Sequence, residues 1–212
     1  RELILSRDRV GICPLFYTRV GNKILFASEI KALWQDPSVP RELDMRGMAE
    51  TFTFWTTVPP QTMYRGIREV SPGHWICFGK TAITEGSYWR YCFPPYDPHD
   101  AGTADEYAAE LRELLFDAAR LRFTCSDVPV AAYLSGGIDS SVTASVVRQF
   151  TSSALKTFSL RFADQEFDEG GFQQQMVKRL GTDHATITVS HRDIAEVFPQ
   201  VVSFAEKPLL RT

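Results

Sequence analysis

A glycine- and serine-rich stretch, Ser135–Ser141, carries the residues of this chain best suited to chemistry. Its order is Ser-Gly-Gly-Ile-Asp-Ser-Ser, so two adjacent glycines lie among short hydroxyl side chains. Where such a stretch leads into a helix, the backbone N–H groups at the helix N-terminus form a pocket that favours a multiply charged anion, usually a phosphate. The stretch therefore predicts a phosphate-binding loop.

The loop is not of the Walker type. No G-x-x-x-x-G-K-S/T pattern occurs in the sequence, so no lysine follows the glycines to reach a terminal phosphate. This favours a nucleotide that is cut between its α- and β-phosphates, with the loop holding the pyrophosphate portion. A polar turn that merely caps a helix is the alternative interpretation.

The elements around the loop must place it at the edge of a sheet. The apolar run Val128–Leu134 is typical of a buried strand, and Val142–Val147 predicts a helix that continues to about residue 150. Further along we expect a strand through Phe158, Leu160 and Phe162, a helix over about 172–180, a strand over 185–189 and a last helix through 194–202. This alternation predicts a mainly parallel sheet, whose ligands bind at the carboxyl ends of the strands.

The first ninety residues have a different pattern. Short apolar runs predict strands at 3–5, 15–17, 24–26 and 74–78, with helices over about 28–33 and 45–54. Gly21-Asn22 indicates a tight hairpin between the second and third runs. A segment rich in proline and aspartate, 94–102, predicts a linker, after which Thr103 and Glu106 have the spacing of a capping box.

Composition excludes several classes of protein. The net charge is −3 and no basic run occurs, so we expect no nucleic-acid partner. No apolar stretch reaches the length of a membrane span, and the first residues do not form a signal peptide, so we expect no membrane association. The four cysteines are widely separated, which predicts neither a zinc site nor a redox pair but free, mostly buried thiols and a cytoplasmic location.

Two regions of the chain resemble known families. Ser135–Ser141 is similar to the pyrophosphate loop of the ATP-pyrophosphatase group, which includes asparagine, GMP and NAD synthetases and tRNA-thiolating enzymes. Arg7–Tyr17 followed by Phe26–Leu33 resembles the end of a class II glutamine amidotransferase domain. Segments 60–67, 71–74 and 88–89 resemble the region after that domain in glutamine-hydrolysing asparagine synthetases, so the resemblance to this family runs over nearly the whole chain.

The resemblance implies an α/β fold in two domains. Residues 1–95 would be the β-rich C-terminal part of an N-terminal-nucleophile glutaminase domain with its extension. Residues 96–212 would begin a parallel-sheet ATP-pyrophosphatase domain, similar to the adenine nucleotide α-hydrolases. Because the chain begins with Arg1, we expect an internal piece of a longer protein, inactive alone because the family's glutaminase nucleophile lies outside it.

The activity implied by the resemblance is amide synthesis from aspartate, ATP and glutamine, with Mg²⁺, through a β-aspartyl-AMP intermediate. The products would be asparagine, AMP and pyrophosphate. The alternatives are an amide-forming relative of secondary metabolism, such as a β-lactam synthetase or a lasso-peptide cyclase, and a non-catalytic nucleotide-binding homologue. The sequence leaves the oligomeric state open, with a homodimer among the options.

The resemblance also implies which residues hold the nucleotide. They form one run with a single residue on the next strand: Tyr133, Leu134, Ser135, Gly136, Gly137, Ile138, Asp139, Ser140, Ser141 and Leu160. Asp139 is the expected Mg²⁺ partner, directly or through water, with helix capping as its alternative role. Tyr133 departs from the leucine common in the family at that adenosine-contacting position.

Other polar residues carry weaker expectations. Asp168 and Glu169 are expected to favour the dipole of the helix that follows them, and His184 to have a structural role. Glu206 lies where relatives often carry an acidic residue before proline, and its role stays open. Three charged residues are expected to fix the first domain or its contact with the second: Asp8, Arg9 and Glu29.

Overall fold

A computed structural model of the chain describes residues 2–93, 95, 102–151, 154–164, 166 and 168–209. The chain divides into two compact units, one of residues 1–94 with 198–212 and the other of residues 95–197. The predicted linker lies outside the described residues except for Pro95 and Gly102.

The first unit contains two antiparallel three-stranded sheets. The first sheet has the order β1-β5-β6, formed by Leu3–Ser6, His74–Phe78 and Ile83–Ser87. The second has the order β3-β2-β4, formed by Lys23–Ala27, Phe16–Val20 and Ile67–Glu69. Val20 pairs with Lys23, which leaves Gly21 and Asn22 as the two-residue hairpin that the sequence predicted.

Two helices complete this unit, α1 (Ile30–Leu33) and α2 (Met45–Phe54). The Asp44 side chain accepts hydrogen bonds from the backbone N–H groups of Arg46 and Gly47, which explains where α2 begins. One apolar cluster lies around the first sheet, and a second joins α1 to the second sheet through Ile30, Leu33, Val39 and Ile67.

The second unit is built on the predicted parallel sheet. Its order is β7-β8-β9, formed by Ala131–Tyr133, Lys156–Phe162 and Asp183–Val189. Helices α3 (Ala104–Thr124), α4 (Ile138–Arg148) and α5 (Gly170–Leu180) accompany the sheet. The core is formed by four buried residues: Leu134, Ala144, Val147 and Leu155. Side chains of α3 and α5 pack against them. The last helix, α6 (His191–Ala205), contains Pro199 and crosses the boundary between the units at Phe198.

Helix ends in the second unit follow local signals in the sequence. The capping box of Thr103 and Glu106 is present at the start of α3, and α5 ends at Gly181 in the left-handed conformation at φ +61°. No residue of α3 is buried: its apolar residues Tyr107, Leu111, Leu114, Leu115 and Leu121 are exposed, whereas Phe116, Ala119 and Phe123 are half-buried.

Two expectations are wrong. The strand predicted over Val128–Leu134 is limited to β7, because Pro129 has no N–H for a ladder and the Ser126 hydroxyl turns the chain by bonding the carbonyl of Val128 at 2.8 Å. The thiols are free but not mostly buried, since Cys13, Cys92 and Cys125 are exposed.

Among the described residues, no helix combines the length and the apolar character needed to cross a membrane.

Candidate functional site

The glycine-rich loop lies at the carboxyl end of β7, as the sequence predicted. Leu134, the residue between strand and loop, has no exposed surface, and its N–H donates to the carbonyl of Phe158 on β8 at 2.8 Å. The Ser159 hydroxyl donates to the Leu134 carbonyl from the same strand. Both backbone groups of Leu134 are therefore bound to β8, which fixes the point where the loop begins.

A pair of serine hydroxyls holds the loop in shape. The Oγ atoms of Ser135 and Ser140 lie 2.9 Å apart, and the Ser140 Oγ also accepts from the Ser135 N–H at 3.2 Å. The Gly137 N–H donates to the Ser135 Oγ at 3.3 Å, and the Ser140 Oγ donates to the Gly137 carbonyl at 3.1 Å. The two ends of the loop are thus connected by hydrogen bonds between the loop's own residues.

Gly136 is required by geometry. Its φ is +93°, a conformation that side chains rarely adopt. A Cβ there would lie 3.1 Å from the Cβ of Phe172 and 3.3 Å from the Gln173 nitrogen and the Glu169 carbonyl oxygen. The loop backbone therefore packs directly on the start of α5.

The N-terminus of α4 presents backbone donors. Its N-cap is Gly137, in extended conformation and with no side-chain cap. The first N–H groups of a helix have no partner within the helix, so those of Ile138–Ser140 have the orientation that suits an anion. These N–H groups can donate hydrogen bonds to several phosphate oxygens at once.

Asp139 is the acidic residue of that first turn, and its side chain is exposed. A carboxylate at this place would repel a bound phosphate unless a cation lay between them. No cluster of three or more potential metal-binding side chains occurs in the described part of the chain. One carboxylate fits Mg²⁺, which uses one or two carboxylates together with substrate phosphates and water.

Gln173 is a site residue that the sequence did not reveal. It is 3% exposed, and its Nε2 donates to the Ser135 carbonyl at 3.2 Å and to the Leu160 carbonyl at 3.0 Å. One amide group of α5 therefore connects the loop to β8. Nothing in a glutamine within a helix indicates such a partner, since the contacts are 38 and 13 residues away in sequence.

The two residues expected at the adenosine lie close together. Tyr133 and Leu160 are 82% and 53% exposed and line a shallow cavity of about 270 Å³ with Leu134, Ser135 and Phe158. Tyr133 and Phe158 are register partners on β7 and β8. The cavity is mainly apolar beside a polar loop, which suits a ligand with a flat base and a phosphate chain.

Two weaker expectations can be compared with the structure. Asp168 is held by Arg161, whose Nε donates to it at 3.0 Å and whose Nη2 makes a second bond, and this guanidinium lowers the pKa of the carboxyl below its usual range. Asp168 also accepts a hydrogen bond from the Gly170 N–H, at 3.3 Å. The His184 ring lies between the hydroxyls of Thr157 and Thr186, at 2.9 Å each, a geometry that suits the structural role expected of it.

In the first unit, the charged residues organise a turn. The Asp8 carboxylate accepts from the N–H groups of Ile12 and Cys13 at 2.9 Å, and these bonds lower its pKa. Arg7, which the sequence did not single out, is 8% exposed and pairs with Glu69 at 2.6 Å. Asp8 therefore fixes the local fold, as expected.

Comparison with known proteins covers both units. A family model described as "Asparagine synthase" matches residues 110–212, and one described as "Glutamine amidotransferase domain" matches residues 1–89. Together they leave only a short segment in the middle unmatched.

Individual relatives align with almost the whole chain. Glutamine-hydrolyzing asparagine synthetase 3 of Bacillus subtilis is 32% identical over 97% of this chain and 35% of its own length. Glutamine-hydrolyzing asparagine synthetase 1 of the same organism is 31% identical over 96% of this chain and 31% of its own length. The amidase chyE of Penicillium rubens is 33% identical over 98% of this chain and 32% of its own length. The chain thus spans about a third of the length of the curated relatives it matches.

Proposed function

Because the chain belongs to the family of glutamine-hydrolysing asparagine synthetases, we propose that it carries the pyrophosphate-binding loop of an ATP-dependent amide synthesis. The observation that supports this most is the preformed loop between β7 and α4. Its hydroxyls are connected to one another, its glycine is packed on α5, and its helix N-terminus has no side-chain cap.

The proposed reaction has two steps. An oxygen of the substrate carboxylate attacks the α-phosphorus of ATP, the bond from that phosphorus to the bridging oxygen breaks, and pyrophosphate leaves. Ammonia released from glutamine then attacks the acyl carbon, AMP leaves, and the nitrogen loses a proton. With aspartate, the intermediate is β-aspartyl-AMP and the product is asparagine.

Residues of the loop would stabilise the leaving group. Negative charge grows on the pyrophosphate as the bond breaks. Backbone N–H groups at the start of α4 are placed to stabilise that charge by donating hydrogen bonds, without rearrangement. Asp139 would hold Mg²⁺ with the phosphates, which supplies further charge neutralisation. Gln173 would keep the loop and β8 in register while this happens.

The rest of the nucleotide would bind beside the loop. Tyr133 and Leu160 offer apolar surface for the adenosine on the cavity next to Ser135. Residues 1–89, which match the glutamine amidotransferase model, would belong to the part of the enzyme that releases ammonia from glutamine. In keeping with the charge and the cysteine content, we place the protein in the cytoplasm with small molecules as its partners.

A second candidate is amide synthesis on another carboxylic acid, in the manner of β-lactam synthetases or lasso-peptide cyclases. Two fungal relatives named amidases, chyE and chry2, are each 33% identical to the chain, which is no less than the identity of the Bacillus asparagine synthetases. Tyr133 in place of the family's common leucine points the same way, since it changes the surface next to the loop.

One experiment separates these possibilities. The full-length protein that contains this chain is incubated with Mg·ATP, glutamine and one carboxylic acid at a time, and pyrophosphate and amide product are measured. We expect pyrophosphate release that depends on aspartate and yields asparagine. Release with another acid alone would favour the second candidate, and no release with any acid would favour a non-catalytic nucleotide-binding protein.

A further inference from the structure

Helix α1 does not receive its cap from its neighbours in sequence. Its N-cap residue is Glu29, with φ −134° and ψ 140°, yet the Glu29 side chain makes no capping hydrogen bond. That carboxylate instead lies 3.0 Å from the Nζ of Lys31. The first N–H groups of α1 therefore need another acceptor.

Glu206 supplies that acceptor from the far end of the chain. Its Oε2 accepts from the Ile30 N–H and its Oε1 from the Lys31 N–H, both at 2.6 Å. These residues are 176 and 175 positions away from it in sequence. Hydrogen bonds to a charged acceptor are short and strong, and a carboxylate is favoured at a helix N-terminus.

The backbone at Glu206 is adapted to this contact. Its φ is +55°, the left-handed region that residues other than glycine seldom occupy, and its N–H donates to the Val202 carbonyl at 2.9 Å to end α6. Such a conformation persists where surrounding contacts hold it in place. Phe204 adds a second contact, because its ring centre lies 4.9 Å from the Lys31 Nζ.

Helix α1 and Glu206 lie in regions of the chain that match different family models. Helix α1 lies in the region matched by the glutamine amidotransferase model, and Glu206 lies in the region matched by the asparagine synthase model. Both belong to the first compact unit. Glu206 also lines a cavity of about 560 Å³ whose lining includes the ion pair of the buried Arg7 with Glu69, and Met63.

We propose that Glu206 is a positioning residue that clamps α1 and thereby couples glutamine hydrolysis to amide synthesis. The clamp itself follows from the hydrogen bonds, and the coupling rests on the function proposed above. Because the cap of α1 is complete only when Glu206 is in place, a displacement at the end of α6 would take the acceptors away from the N–H groups of Ile30 and Lys31. The ammonia released from glutamine would then be used for amide synthesis only when Glu206 holds α1 in this position.

The clamp is tested by hydrogen–deuterium exchange in the full-length protein. We expect Glu206→Gln to make the amides of residues 30–33 exchange several-fold faster, because one carboxylate acceptor and the charge are lost. Glu196→Gln is the matched control, since Glu196 lies on α6 and its ion pair with Arg192 is exposed. Unchanged exchange in Glu206→Gln would overturn the proposal. Should that variant fail to fold, Glu206→Asp, which keeps the charge but reaches less far, carries the same test.

The coupling is tested by product ratios in the same proteins. Wild type and Glu196→Gln should release equal amounts of glutamate and pyrophosphate from glutamine, whereas Glu206→Gln should release several-fold more glutamate than pyrophosphate. With ammonium chloride as the nitrogen source, all three should release pyrophosphate at rates within about twofold of one another, a small difference on the free-energy scale. An equal glutamate-to-pyrophosphate ratio in Glu206→Gln would overturn the coupling. Wild type without pyrophosphate release would contradict the proposed function instead, and the exchange experiment would still decide the clamp.

Discussion

Gln173 donates a hydrogen bond to the carbonyl of Ser135, the first residue of the glycine-rich loop, at 3.2 Å. The same Nε2 donates to the Leu160 carbonyl on β8 at 3.0 Å. One buried amide therefore links the residue expected at the pyrophosphate with the residue expected at the adenosine. The two halves of the proposed nucleotide site are positioned by a helix that comes after both in sequence.

Replacing this amide should weaken the fold around the loop. Gln173→Leu has a similar size but takes the Gln173 donor away from the carbonyls of Ser135 and Leu160, so we expect the free energy of unfolding to fall by about 1–3 kcal/mol. The measurement is urea denaturation of the protein. Gln174→Leu, at the exposed neighbouring position, should stay within about 0.5 kcal/mol of wild type. Equal midpoints for the two variants would show that Gln173 does not hold the loop.

The close approach of the loop to α5 gives a second prediction. Gly136→Ala must adopt φ +93° and place its Cβ 3.1 Å from that of Phe172, so it should lose at least about 1–2 kcal/mol of stability through the backbone alone. A loop that shifts to relieve this strain must regain its geometry to bind ATP, and a cost of about 1.4 kcal/mol for doing so corresponds to a tenfold loss of ATP affinity. Both quantities are measured by urea denaturation and by equilibrium binding of Mg·ATP.

Gly171→Ala is the control for that substitution. A Cβ at Gly171 would meet nothing within 4 Å, and its φ is not positive. We expect it to leave ATP affinity unchanged and to raise stability by about 0.4–1 kcal/mol through the unfolded chain. Comparable losses in the two glycine variants would contradict the packing argument.

The ion pair of Asp168 with Arg161 predicts a pH dependence. The guanidinium lowers the pKa of the Asp168 carboxyl in the folded protein, so the pair contributes stability above the ordinary carboxyl range near pH 4 and loses it as the pH falls through the lowered pKa. Asp168→Asn should therefore be less stable than wild type at neutral pH, and the difference should shrink towards pH 3.

Urea midpoints across that pH range measure the effect. Asp117→Asn removes a carboxylate whose partner, Arg120, is exposed on the same helix, and it should change stability by less than about 0.5 kcal/mol. A difference between wild type and Asp168→Asn that does not vary with pH would contradict the role given to Arg161.

Local signals in the sequence account for much of the fold. The helix predicted over about 45–54 and the strand predicted at 74–78 have the bounds that the structure has, and the Thr103–Glu106 pair marked the start of α3 correctly. These features depend on neighbouring residues, so a single sequence contains them. The position of the loop after a parallel strand follows from the same alternation.

Contacts between distant residues could not be predicted in this way. Gln173 and Glu206 act on carbonyls and N–H groups that are unremarkable in sequence and become partners only after folding. The thiols were expected to be buried because cysteine usually is, whereas here three of the four lie on exposed segments. Tyr133 and Leu160 were placed near each other by resemblance, and the register of β7 with β8 gives the physical reason.

The central claim is that the loop from Ser135 to Ser141 binds the phosphates of ATP, and equilibrium binding of Mg·ATP to the full-length protein tests it most directly. Ser140→Ala removes the hydroxyl that bonds to Ser135 and to the Gly137 carbonyl, whereas Ser145→Ala removes a hydroxyl on the same helix that bonds to the Ser141 carbonyl. We predict about a tenfold or greater loss of ATP affinity in Ser140→Ala, with inorganic pyrophosphate competing for the site in wild type, and a change within about twofold in Ser145→Ala. Wild-type affinity in Ser140→Ala, or ATP binding that pyrophosphate does not displace, would contradict the claim.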